Sequence, residues 1–201
     1  MTNHYYTKNP GVESNPKYWE FTLRGKTFRF KTDNGVFSKK EVDFGSRLLI
    51  DSFSYPDGGE GGILDVGCGY GPIGLSVAND YPEVHVEMID VNARAVQLAI
   101  DNAELNGVTN VTIYESDVFS EVKNKSFAAI LTNPPIRAGK QVVHDIFTNS
   151  FNHLSANGEL WVVIQKKQGA PSAMAKMEEL FGNVEVFVKK KGYYILVSKK
   201  V

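Results

Sequence analysis

The sequence predicts an α/β protein built on a doubly wound, seven-stranded, mostly parallel sheet, with a small N-terminal β-hairpin ahead of it. Three observations lead there. From Ile63 onward, short apolar runs alternate with amphipathic stretches of helical length, the order of a parallel sheet covered by helices on both faces. The first apolar run ends in a glycine-rich turn, Gly67-Cys68-Gly69-Tyr70-Gly71, where a strand hands over to a helix. The last two runs, VEVFVKK and YYILVSK, are joined by the segment Lys189 to Gly192, too short for a parallel crossover, so they form an antiparallel hairpin at one end of the sheet.

The N-terminal part justifies its hairpin by pattern. WEFTLRGKTFRFK, Trp19 to Lys31, alternates large apolar and polar residues around Arg24-Gly25-Lys26. The loop TDNGVFSKKEVD leads to FGSRLLIDSF, whose Phe44, Leu48, Leu49 and Phe53 share one helical face, with Asp43 placed to cap it. Core strands follow at ILDV (Ile63 to Val66), VHVEMID (Val84 to Asp90), VTIYE (Val111 to Glu115), FAAILT (Phe127 to Thr132) and ELWVVIQ (Glu159 to Gln165). Helices are expected from Pro72, over Ala93 to Asn106, Val142 to Leu154 and Ser172 to Phe181. No composition shift marks a second domain. The chain reads as one domain over 1–201, with 1–55 as hairpin, loop and helix and 56–201 as the core.

Bulk properties exclude several classes. With 42% hydrophobic and 22% charged residues over 201 positions, the composition is that of an ordinary globular protein. No apolar run approaches the ~18 residues of a membrane span, and MTNHYYTKNP lacks a signal peptide's apolar centre, so a cytoplasmic protein without membrane association is expected. Cys68 is the single cysteine, which rules out an internal disulfide. The net charge of -1 excludes a uniformly basic nucleic-acid-binding domain. The pairs and triplets Lys39-Lys40, Lys166-Lys167, Lys189-Lys190-Lys191 and Lys199-Lys200 leave room for a local patch, although such clusters are commonly solvated faces. His4, His85, His144 and His153 lack metal-ligand spacing, so no metal is expected.

The chemistry concentrates at strand ends. Gly67, Gly69 and Gly71 let the backbone turn tightly and approach a ligand, at the sheet edge where open α/β folds bind theirs. Gly69-x-Gly71-x-x-Gly74 also satisfies the dinucleotide fingerprint, so glycine spacing alone leaves the adenosine cofactor open. Asp90 ends the second core strand and Asp117 follows the third; such carboxylates can accept from ribose hydroxyls and from an adenine amino group, or simply cap turns. Asp65 either orients the loop or meets a positive part of the cofactor. In these features the chain resembles the class I S-adenosylmethionine-dependent methyltransferases, whose first motif is like DVGCGYG and whose acidic second motif matches Asp90. The resemblance implies S-adenosyl-L-methionine as cofactor and a Rossmann-like methyltransferase fold in which the seventh strand is antiparallel beside the sixth.

The fourth core strand runs into Asn133-Pro134-Pro135-Ile136. Two prolines fix φ near about -65° and remove two donors, so the turn is stiff and rich in acceptors. A planar exocyclic amine is a poor nucleophile; if the Asn133 oxygen and the Pro134 carbonyl accept its protons, its lone pair can be aimed at a methyl donor. The turn resembles the Asn-Pro-Pro-aromatic signature of amino-group methyltransferases, with Ile136 in the aromatic's place as a packing surface for the target. An oxidoreductase is disfavoured, because Asn133-Pro134-Pro135 has no job in hydride transfer.

Two flanks narrow the resemblance. DNGVFSKKEVDFGSRLLI and VIQKKQGAPSAM are similar to the catalytic half of the bacterial ribosomal RNA small-subunit guanine-N2 methyltransferases. That implies a lid over the cofactor at Gly35-Val36-Phe37-Ser38, with Phe37 and Ser38 as cofactor contacts and Asp43 helping to hold it, and small-subunit ribosomal RNA as partner. Gln165, Lys166 and Lys167 fall on the same edge, where the lysines can meet phosphate. The same residues leave open an adenine N6 or protein glutamine target, a non-catalytic RNA-binding or assembly factor, and a homodimer.

Overall fold

The computed structural model describes residues 6–201, and His4 lies outside the described residues. β1 (Lys17–Leu23) pairs antiparallel with β2 (Lys26–Thr32). Arg24 and Gly25 sit at φ 49° and 78°, the left-handed pair that a tight two-residue hairpin turn needs. The alternation turns Phe28 and Phe30 inward. α1 (Phe44–Ser52) follows, capped as expected by Asp43, whose carboxylate accepts from Ser46 N at 3.0 Å.

The remaining strands are β3 (Gly62–Val66), β4 (Val86–Asp90), β5 (Val111–Glu115), β6 (Phe127–Thr132), β7 (Leu154–Gln165), β8 (Glu185–Lys190) and β9 (Tyr193–Lys199). They form one seven-stranded sheet in the order β5-β4-β3-β6-β7-β9-β8. β9 runs antiparallel between β7 and β8, while the pairs β3-β4, β3-β6, β4-β5 and β6-β7 are parallel. The doubly wound, mostly parallel fold expected from the sequence is therefore the one present, terminal hairpin included.

Alternation along the strands sends Ile63, Met88, Leu131 and Val163 to one face and Leu64, Ile89, Ile130 and Val162 to the other. α1, α2 (Pro72–Asp80), α3 (Ala93–Leu105) and the β1-β2 hairpin cover the first face; α4 (Lys140–His153) and α5 (Ala170–Phe181) cover the second. Strand order reverses between β3 and β6, which opens a crevice at their carboxyl ends.

Beyond shifts of one or two residues at element ends, two details differ from expectation. β7 starts at Leu154, five residues before Glu159, because Leu154 pairs with Phe127 and the ladder then shifts register past Asn157, which takes φ 62°. Short 3-10 turns lie at Ile136–Ala138, after the Asn133-Pro134-Pro135 turn, and at Lys166–Gln168, directly after β7, and three residues are too few to leave a periodic trace in sequence.

Candidate active site

At the carboxyl ends of β3, β4 and β6 lies a cleft of about 430 Å³, inside the range of small-molecule sites. The glycine loop forms its floor. Gly67 and Gly69 adopt φ 75° and 57°, and a Cβ on either would meet nothing within 4 Å, so the backbone borders open space that side chains would otherwise fill. The loop is pinned from below by β4: Gly67 N and Cys68 N both donate to Ile89 O at 2.9 Å. Cys68 is buried, and burial pushes its thiol well above the ordinary range, which makes it an inert small residue.

Asp90 reaches this cleft. Its Oδ2 accepts from Gly69 N at 2.9 Å and its Oδ1 from Asn92 N at 2.8 Å. Burial raises its carboxyl pKa, opposed by those backbone donors, so a ligand offering hydroxyl donors would favour its charged form. Asp65 behaves differently. It is 1% exposed and turns Oδ2 to Gly74 N, 2.9 Å away in α2, so it braces the loop from beneath and does not border the cleft. Asp117 is exposed after β5, where its neighbours Ser116 and Val118 instead line a small apolar recess that also takes in Val91, Pro135 and Ile146.

The Asn133 turn faces the glycine loop across the cleft. Asn133 Nδ2 donates to Asp43 Oδ2 at 3.2 Å and to Ser46 Oγ at 3.1 Å, and its Oδ1 has no partner among the described residues. The Pro134 carbonyl accepts from Ile136 N at 2.9 Å, which leaves one of its lone pairs. Pro134 and Pro135 are buried, while Ile136 is half-buried at the cleft wall.

Above the floor, Phe37, 49% exposed, and Ser38, whose Oγ donates to Glu41 O, border the opening. Asn92 holds this loop by donating from Nδ2 to Gly35 O at 2.9 Å, and Arg94 donates to Asn34 O and Val12 O. Gln165 lines the cleft, but Lys166 and Lys167 lie exposed on the turn beside it.

Several bordering residues carried no sequence signal. Tyr6 lines both the cleft and the recess, and burial with the charges of Asp117 and Asp90 pushes its hydroxyl up to about 12. Tyr193, at the start of β9, and Arg137, in the turn after β6, reach the cleft from elements far apart in the chain. Such neighbours follow from topology, and only the MTNHYYTKNP stretch offered a hint, as aromatics in an otherwise polar segment.

Among the described residues, no helix is long and apolar enough to cross a membrane, and no His, Cys, Asp and Glu cluster as metal ligands.

Comparison with known proteins agrees with this geometry. The Methyltransferase small domain family matches residues 27–197. A Bacillus subtilis relative, "Uncharacterized protein YbxB", is 66% identical over 202 residues and all of both chains. The Escherichia coli ribosomal RNA small subunit methyltransferase C is 33% identical over 186 residues, covering 90% of this chain and 52% of its own. Among solved structures, the T. thermophilus 16S rRNA guanine-N2 methyltransferase, in complex with AdoMet and guanosine, superposes with a TM-score of 0.83 at 25% identity, over 96% of this chain and 52% of that one. The chain thus spans about half the length of these two ribosomal RNA methyltransferases.

Proposed function

The chain belongs to the Methyltransferase small domain family, and from that premise we propose that it transfers a methyl group from S-adenosyl-L-methionine to the exocyclic N2 of a guanine in small-subunit ribosomal RNA. The observation that carries this reading is Asn133: at the end of β6, across the cleft from the glycine loop, its amide donors are engaged and its Oδ1 is left as an acceptor.

The residues present fit the cofactor. Gly67 and Gly69 border space without side chains, Asp90 offers a carboxylate suited to ribose hydroxyls, and Val91, Val118 and Pro135 offer apolar surface against which a flat ring can lie. When bound, S-adenosyl-L-methionine supplies an electrophilic methyl group on a sulfonium. Phe37 and Ser38 close over this end, and Asp117, exposed beside the recess-lining Ser116 and Val118, accepts from a ring amino group.

Asn133 Oδ1 and the remaining lone pair of the Pro134 carbonyl accept the two N–H groups of the target amine. That contact turns the nitrogen lone pair towards the cleft and favours the positive charge that nitrogen gains on alkylation. Pro135 holds the turn rigid, so the acceptors need no rearrangement, and effective molarities of ~10⁵ M are attainable from such positioning. Ile136 packs on the target, and the surplus proton leaves to water. Lys166 and Lys167, exposed beside the cleft, bind the phosphates that flank the target.

Calorimetry with S-adenosyl-L-methionine, and mapping of methyl groups placed on small-subunit RNA from a strain lacking the protein, test this reading. Saturable cofactor binding and a new N2-methylguanine are expected. Methylation at adenine N6 or on a protein glutamine redirects the substrate, and RNA binding without cofactor binding replaces the enzyme with an assembly factor.

A further inference from the structure

The side-chain amide of Asn133 can sit in two nearly isosteric orientations that exchange its oxygen and nitrogen, and only one of them presents an acceptor. With the nitrogen towards the target, donors would face the N–H groups of an amine, the opposite of what an acceptor turn requires. Something must choose between the two.

Asp43 and Ser46 are the groups in contact with that amide. Asp43 Oδ2 lies 3.2 Å from Asn133 Nδ2, and Ser46 Oγ lies 3.1 Å from it. The Ser46 hydroxyl can donate or accept and so does not discriminate between orientations. A carboxylate can only accept, and it meets the amide favourably only through Nδ2. The same Oδ2 accepts from Ser46 N at 3.0 Å as the cap of α1, which fixes the carboxylate in place. Phe44 and Gly45 anchor this helix start further: the Phe44 ring lies 5.4 Å from Tyr193, and a Cβ on Gly45 would lie 2.9 Å from the Tyr193 ring. Asp43 thus stands 90 residues from Asn133 in sequence, on a rigid support, with its oxygen on the amide.

Resting on the proposed amino-group transfer, we infer that Asp43 is the positioning residue that sets the Asn133 amide with its oxygen towards the target. It borders the cleft beside the acceptor turn, while the loop above the cleft is tied down separately, through Asn92 to Gly35 O. Capping α1 and orienting Asn133 are two jobs of one carboxylate, and they separate by reach. A threonine at 43 can still cap the helix, being among the favoured N-cap residues, but is one carbon too short to hold Asn133. An asparagine at 43 keeps both the cap and an oxygen at the same distance, although it no longer enforces one orientation.

The experiment compares Asp43→Thr, Asp43→Asn, Asn133→Ala and the double variant Asp43→Thr/Asn133→Ala. Expected is a fall in kcat on the order of tenfold for Asp43→Thr, with melting temperature and cofactor Kd close to wild type, and a smaller fall for Asp43→Asn. In the Asn133→Ala background, Asp43→Thr is expected to cost nothing further, because its effect runs through the missing amide. A full additional loss there, or a weakened cofactor Kd with kcat intact, overturns the inference. Hydrogen exchange of the Asn133 side-chain amide, followed by NMR, reads the contact without turnover. Slow exchange in wild type that becomes fast in Asp43→Thr supports Asp43 as the holder, and unchanged exchange overturns it. If the wild-type protein transfers no methyl group to RNA, the functional reading falls on its own while this exchange measurement still decides the role of Asp43.

Discussion

Asn133 and Asp65 show what one residue can and cannot announce. Replacing Asn133 by alanine removes the acceptor at the end of β6, and loss of one preorganised polar contact is expected to lower kcat by ~10²-fold or more. Cofactor Kd should change little, since Asp90 and the glycine loop lie across the cleft; single-turnover assays beside calorimetry check both, and full activity removes Asn133 from the chemistry. Asn133, Asp90 and the glycine loop were legible because each is marked by local sequence at the end of an apolar run. The partnership of Asn133 with Asp43 was not, because a contact across 90 residues depends on how α1 packs on the sheet. Asp65 also had two open readings, loop brace or cofactor contact, and burial beneath the loop supports the brace. Burial pushes its carboxyl from 3.8 to about 7, so between those values the folded protein keeps a proton that the unfolded chain has lost. Its contribution therefore turns against folding as pH rises through that window and is constant outside it. Asp65→Asn, neutral throughout, is expected to flatten the fall of melting temperature from about pH 4 to about pH 7 relative to wild type; parallel curves would mean that this carboxyl titrates at its ordinary value.

Elements join here by side chains that imitate backbone. Among the described residues no strand lies beside the outer edge of β2; instead Lys31 N donates to Asn102 Oδ1 at 2.7 Å, and Asn102 Nδ2 donates to Lys31 O at 3.0 Å. One turn further, Asn106, the C-cap of α3, repeats the pairing with Arg29 N and O, at 2.9 Å each. Two asparagines four residues apart on one helical face thus cover an edge that would otherwise be open to another chain. Asn102 also donates to Tyr70 O at 2.8 Å, which ties the hairpin, α3 and the glycine loop together. Because Asn102 is fully buried, Asn102→Ala leaves backbone groups unpaired and is expected to cost on the order of 3 kcal/mol in urea unfolding. Asn106, on the exposed end of the same ladder, should cost clearly less, and equal losses would show that burial is not what sets the penalty. The strands and helices themselves were readable from periodicity, down to the Asp43 cap. This ladder was not, since a polar residue inside an amphipathic helix reads as solvent-facing until its neighbour is known.

Whether hairpin and sheet form one folding unit is decided by what lies between them. A single apolar cluster runs from Phe28 and Phe30 of the hairpin through Leu49 of α1 and its C-cap Phe53 to Ile63, Trp161 and Val197 of the sheet. Aromatic contacts follow the same route: Trp19 lies 5.9 Å and Phe30 5.5 Å from Tyr70 of the glycine loop, and Phe53 lies 5.4 Å from Trp161. Polar links reinforce it, as Arg24 in the hairpin turn donates to Ile50 O and Phe53 O at 2.6 and 3.0 Å. With no seam in the core of the described residues, the hairpin cannot detach without exposing the face of the sheet that supports the cofactor loop, so hairpin and sheet are expected to unfold as one cooperative unit. The sequence supplies the probes, because its two tryptophans fall one on each side: Trp19 in β1 and Trp161 in β7. Trp161→Phe leaves only the hairpin to fluoresce, and Trp19→Phe leaves only the sheet. Within each variant, the fluorescence transition in urea should coincide with the far-ultraviolet circular dichroism transition, which removes any effect of the substitution on overall stability from the comparison. An earlier midpoint for Trp19 fluorescence than for the dichroism of the same variant would divide the molecule at the loop 33–43 and make the hairpin an appended lid instead of part of the catalytic core.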